Sequence, residues 1–144
     1  MDHMQRAQEY LRQYQDEQRI ILRLLGRADT LRTRASSITV KLSDMPCSDS
    51  PNPQRAQEDL EAAIDLEAEA AEKQQALRAL RRQMLEIISG MPSALEQDVL
   101  VSRYLDGLSW EEASLSLHYS QASLYRVHRE ALEHLGSILC SAQE

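Results

Sequence analysis

Apolar residues recur every seven positions along the first stretch of the chain. Ala7, Tyr14, Ile21, Ala28 and Ala35 form one set, and Tyr10, Leu24, Leu31 and Ile38 the other. That spacing marks a helix with a coiled-coil seam. Asp2 and Gln5 have capping-box spacing at its start, and Gly26 in its interior predicts local bending. A second stripe follows, with Ala63, Ala70, Leu77, Met84 and Met91 in one set and Leu66, Leu80 and Ile87 in the other. Between them "SSITVKLSDMPCSDSPNP", residues 36 to 53, collects Ser, Asp, Asn and three prolines, which predicts a loop. Asn52 and Pro53 fit an N-cap and a first helical position, and Gly90 ahead of Pro92 predicts the second helix's end.

Folded back on one another, the two helices give an antiparallel hairpin up to about 50 Å long at 1.5 Å per residue. Each seam carries one charge, Glu17 on the first helix and Lys73 on the second. With Ala35 near Ala56, these two meet, so they are a candidate pair for fixing register, unless both simply extend into water. Leu11, Leu22, Leu25, Leu60, Ile64, Leu85 and Ile88 fall just outside the seam. An apolar face this wide predicts a third packing surface, either the C-terminal segment or a second copy of the chain.

Beyond residue 92 the pattern shortens. Ser93 with Glu96 and Ser109 with Glu112 repeat capping-box spacing. They predict helices over about 94–105, with Leu95, Val99, Leu100 and Tyr104 inward, and over 110–117. His118 and Tyr119 make a turn, and Ser120 caps a last helix over about 121–139 whose inner face carries Leu124, Val127, Ala131, Leu132 and Leu135. Two helices joined by so short a turn match a helix-turn-helix. The expected organisation is therefore all-α: a helical hairpin over 1–92 (helices about 3–36 and 53–90, loop 37–52) and a helix-turn-helix domain over 93–144. Trp110, at the start of the first motif helix, is expected to anchor packing between the motif helices, and His128 to face solvent or phosphate.

Composition agrees with helices. The chain has 144 residues, no Phe, one Trp, four Gly and four Pro, a poor supply of strand formers and breakers. No apolar run is long enough to span a membrane and no secretory signal opens the chain, which predicts a cytoplasmic protein. Cys47 and Cys140 have no partner at ligand spacing and are expected to be free thiols. No Gly-rich phosphate loop, nucleophile with a placed base, or metal-ligand spacing occurs, so neither catalysis, a metal nor a cofactor is expected. Charge complicates the picture: segments 1–44, 45–92 and 93–144 carry net charges of +2, −4 and −5. The segment that looks most like a DNA reader is the most acidic, which argues against strong non-specific phosphate binding.

"VLVSRYLDGLSWEEASLSLHYSQASLYRVHREALEHL", residues 99 to 135, resembles the C-terminal promoter-reading helix-turn-helix of bacterial sigma factors. It is similar also to small phage and prophage regulators of late-gene transcription, the ArpU and RinA groups, built on that module. Arg103 to Glu112 precede and open the first motif helix, Tyr119 with Ser120 end the turn, and Ala131 with Leu132 follow in the recognition helix. The long helical N-terminal half, the "SSIT...LS" stretch and the Pro-containing loop extend the likeness. Ala113 and Ser114 replace a large aliphatic residue and Ala, Leu115 occupies a normally polar place, and His118 stands where the pattern favours Gly. The last change predicts either a slightly altered turn or a milder conformation at His118.

The resemblance implies a DNA-binding transcription regulator. Gln121, Ala122, Ser123, Tyr125 and Arg126 would face the major groove, and Arg103 and Arg129 would lie near the phosphate backbone. Such residue types suit the role: Gln pairs with adenine, Arg with guanine or phosphate, and Ser and Tyr with phosphate oxygens. The implied partners are double-stranded DNA, RNA polymerase, and a second copy of the chain through the hairpin. The alternative is an adaptor or decoy of the transcription machinery that keeps the fold without reading DNA.

Overall fold

In the computed structural model, which describes residues 2–44 and 53–142, the described residues form five α-helices and one π-helical turn, with no strand. Helix α1 spans His3–Asp44 and α2 spans Pro53–Ile88. Helix α3, Ala94–Leu100, continues as a π-helical turn over Val101–Leu105. Helices α4, Trp110–Leu117, and α5, Gln121–Ser141, complete the chain. No helix among the described residues is long and apolar enough to cross a membrane.

Helix α1 runs past the end near residue 36 that the Ser-rich stretch predicts. Isolated Ser and Thr lower helix propensity by only a few tenths of a kcal/mol each, whereas Pro removes a donor and clashes with the preceding turn; the first Pro is Pro46. The expected cap Asn52, the core of the expected loop, Cys47 and the seam side chain of Ile38 lie outside the described residues. Cys140 has a free thiol. Helix α2 begins at Pro53 and ends at Ile88, two residues before Gly90. Gly90 and Met91 turn the chain by donating to the carbonyls of Ile87 and Ile88.

The described residues divide into two compact units. One comprises Met1–Glu17 with Leu77–Glu144, and the other Gln18–Ala76. This differs from a boundary at residue 92, and the apolar face outside the seam supplies the reason. In the first unit, Leu11 and Ile88 are buried in one cluster with Met84, Leu100, Leu132 and Leu135. The ends of α1 and α2 therefore share a core with the C-terminal helices. Gly136 fixes how closely α5 approaches α1, because a Cβ there would collide with the backbone of His3.

One seam set of the second unit is buried as the heptads predict, Ile21, Ala28, Ala35, Ala63 and Ala70, while Leu24, Leu31 and Leu66 of the other set are half-buried. Arg34 donates two hydrogen bonds to the nearly buried carboxylate of Asp59, at 2.7 and 2.6 Å, and Arg32 reaches Glu67 at 2.6 Å. The guanidinium holds the Asp59 carboxyl below its ordinary pKa. Position numbers fall along α1 as they rise along α2, so these segments run in opposite directions. Glu17 belongs to the first unit and is exposed, while Lys73 belongs to the second and is half-buried.

Candidate functional site

Ser residues start the three short helices. Ser93, Ser109 and Ser120 take extended backbone angles, and their hydroxyls accept from the N–H of Glu96, Glu112 and Ser123. Each bond satisfies one of the donors a helix start leaves free. Between α4 and α5 lie three residues. His118 adopts φ 62° and ψ 40°, a fully left-handed conformation, rather than the milder one open to a non-Gly residue. Its N–H and that of Tyr119 both donate to the carbonyl of Ser114, and the Ser114 hydroxyl returns to the Tyr119 carbonyl. Those bonds hold the strained residue in place, since a left-handed L-residue costs roughly 1–2 kcal/mol.

Helix α5 separates its faces sharply. Leu124, Ala131, Leu132 and Leu135 are fully buried, with Val127 half-buried. Gln121, Ala122, Tyr125, Arg126 and Arg129 are exposed, and Ser123 is half-buried. Tyr125 sits one turn after Gln121, its hydroxyl donating to Gln121 Oε1 at 3.4 Å. Tyr125, Arg126, Arg129 and Glu130 line a shallow concavity. Six of the seven expected contact residues therefore lie along the leading half of one helix.

Arg103 does not join them. It is half-buried in the π-helical turn, its guanidinium 4.5 Å from the centre of the Trp110 ring, and it donates to the Leu108 carbonyl at 2.5 Å. The turn itself is braced from α1 and α2: Gln15 donates to the Arg103 carbonyl at 3.0 Å and Arg81 to the Leu105 carbonyl at 3.2 Å. Arg81 also pairs with Asp106 at 2.9 Å. These side chains satisfy carbonyls that the end of a helix leaves without intrahelical donors.

Trp110 packs as expected, edge-on to both Tyr125 (4.7 Å between ring centres) and His128 (4.9 Å). His128 departs from expectation. Rather than facing solvent, it is half-buried, stacks on Tyr104 and shares a 2.9 Å hydrogen bond with the Tyr104 hydroxyl. Burial, reinforced by the positive charge of Arg103, lowers its pKa to about 4, so the ring is neutral at pH 7. Helical spacing carried the signal, for His128 lies four residues after Leu124 and three before Ala131.

The second feature missed in the sequence is His134, whose Nδ1 lies 2.8 Å from one oxygen of the buried Glu96 carboxylate. Glu96 thus pairs with α5. The hydrogen bond that its ring donates to Glu96, with the acidic residues Glu130 and Glu133, raises the His134 pKa. A contact across 38 positions leaves no mark in local periodicity. Among the described residues no group of His, Cys, Asp and Glu is placed to hold a metal ion. No protein-family model, no curated protein and no solved structure matches this chain.

Proposed function

We propose that α4 and α5 form a helix-turn-helix that reads DNA, that the chain is a transcription regulator of the phage and prophage type, and that α1 and α2 form a helical hairpin serving as its protein-contact arm. The observation that carries this reading is the exposure of Gln121, Ala122, Tyr125, Arg126 and Arg129 at the leading end of α5, opposite a fully buried face. A helix so divided enters the major groove with its first turns and leaves its core packing intact. With Arg103 held against Trp110, Arg126 and Arg129 are the basic residues left on this face. Each module therefore makes few phosphate contacts, and the net charge of −5 beyond residue 92 weakens non-specific attraction further. Paired modules on paired half-sites offset this weakness.

The test is a gel shift against DNA from upstream of the protein's own coding sequence. Binding that weakens as salt rises is expected, and Gln121→Ala should lose about 1–3 kcal/mol of discrimination between specific and random duplexes. Absence of binding at low salt, or binding indifferent to salt, contradicts the reading.

A second reading has its own support. Leu115 is 73% exposed and Tyr119 48% exposed at the α4 end of the motif, apolar groups suited to a protein surface. An adaptor that contacts RNA polymerase without reading DNA would use them. Co-purification with polymerase that survives Arg126→Ala with Arg129→Ala and is abolished by Leu115→Asp favours it.

A further inference from the structure

We infer that Ala122 and Tyr125 form an apolar reader of the 5-methyl group of thymine in the major groove, and that Trp110 is the positioning residue that holds Tyr125 for this contact. The inference rests on reading α5 as a DNA-recognition helix, and it names the base that the helix selects.

The first observation is what the leading end of α5 offers. Over its first two turns the exposed residues are Gln121, Ala122, Tyr125 and Arg126, and three of these four carry no charge. Recognition helices meet base edges with residues near their N-terminal end. Ala122 and Tyr125 stand three positions apart, so they are neighbours on the helix surface. Together they present a methyl group beside an aromatic residue that is 48% exposed. The group on DNA that matches such a surface is the 5-methyl of thymine, the one apolar substituent that unmodified bases display in the major groove.

The second observation is that Tyr125 is held in place. Its ring meets Trp110 edge-on, with ring centres 4.7 Å apart and planes at 72°, and its hydroxyl turns back to Gln121 Oε1 at 3.4 Å. The side chain therefore offers its ring. Trp110 is fixed in turn: the Arg103 guanidinium lies 4.5 Å from its ring centre while donating to the Leu108 carbonyl. His128, bonded to the Tyr104 hydroxyl, meets Trp110 edge-on at 4.9 Å. A line of ring contacts thus runs from buried Tyr104 through His128 and Trp110 to exposed Tyr125.

Energetics join the two observations. A side chain ordered before binding loses less rotamer freedom when a base arrives, an advantage of about two- to ten-fold in affinity. The acidic segment beyond residue 92, with a net charge of −5, weakens attraction to phosphates, which in any case carry no sequence information. Discrimination between sequences therefore falls to contacts with base edges. Among the exposed residues of the first two turns, Ala122 and Tyr125 supply the apolar ones.

The experiment measures the affinity of the full chain, at low salt, for duplexes from the protein's own upstream region in which thymines are replaced one at a time by uracil. Uracil lacks the 5-methyl group and keeps the Watson–Crick edge. At one position or more the replacement should weaken binding about four-fold, the worth of one buried carbon. Tyr125→Ala, at an exposed position, should move that thymine-to-uracil affinity ratio toward one. Trp110→Leu should do the same, whereas a role in stability alone would lower the thermal midpoint and leave the ratio intact. Binding that no uracil replacement changes, or a ratio unmoved by Tyr125→Ala or by Trp110→Leu, overturns the inference while the DNA-reading proposal stands. Absence of binding to every duplex overturns both.

Discussion

His118 shows what a single residue costs. At φ 62° it occupies the backbone region that Gly enters freely, and its neighbours' hydrogen bonds hold it there. Replacing it with Gly relieves the strain at a site where no side-chain contact is needed. His118→Gly should raise stability by about 1 kcal/mol, read as an upward shift of the thermal midpoint. The imidazoles of half-buried His128 and exposed His134 respond to pH in opposite senses. The pKa of His128 is depressed to about 4 from an ordinary 6.5, so its contribution is complete above 6.5 and is lost as pH falls toward 4. The pKa of His134 is raised by Glu96, so its contribution is complete below the ordinary value and is lost as pH rises through the raised one. Thermal melts across pH 4 to 8 should show His128→Phe flattening the acid limb and His134→Ala flattening the neutral limb; unchanged limbs in either variant contradict the assignment.

At the scale of elements, local chemistry accounts for most of what the sequence disclosed. Ser93, Ser109 and Ser120 announced three helix starts because a cap and its donor lie within three positions, and the heptads named buried residues because a seam repeats locally. The π-helical turn at Val101–Leu105 was hidden, since it depends on Gln15 and Arg81 reaching its carbonyls from distant helices. For the same reason the packing of Arg103 against Trp110 leaves no mark in the local pattern. Gly136 was equally silent. Its lack of a side chain matters only because the backbone of His3 crosses it. Gly136→Ala must separate α5 from α1 and should cost roughly 1–3 kcal/mol as overpacking, measured by denaturant unfolding. Gly26→Ala, where a Cβ meets nothing within 4 Å, should instead raise stability by about 1 kcal/mol.

For the whole molecule, the leading end of α5 is the feature on which the proposed function turns, and it was legible as a set of residue types though not as a surface. Periodicity separated Leu124, Ala131, Leu132 and Leu135 from Gln121, Tyr125 and Arg126, and the structure exposes the second group while burying the first. For the proposed reading of DNA, the acidic background makes the salt dependence of binding the sensitive quantity. Fluorescence anisotropy of a labelled duplex from the protein's own upstream region, titrated over a range of salt, measures this directly. The account predicts that log affinity falls linearly with log salt and that Arg126→Ala and Arg129→Ala each reduce the slope by about one. A slope that neither substitution changes, or no binding at the lowest salt, would contradict it.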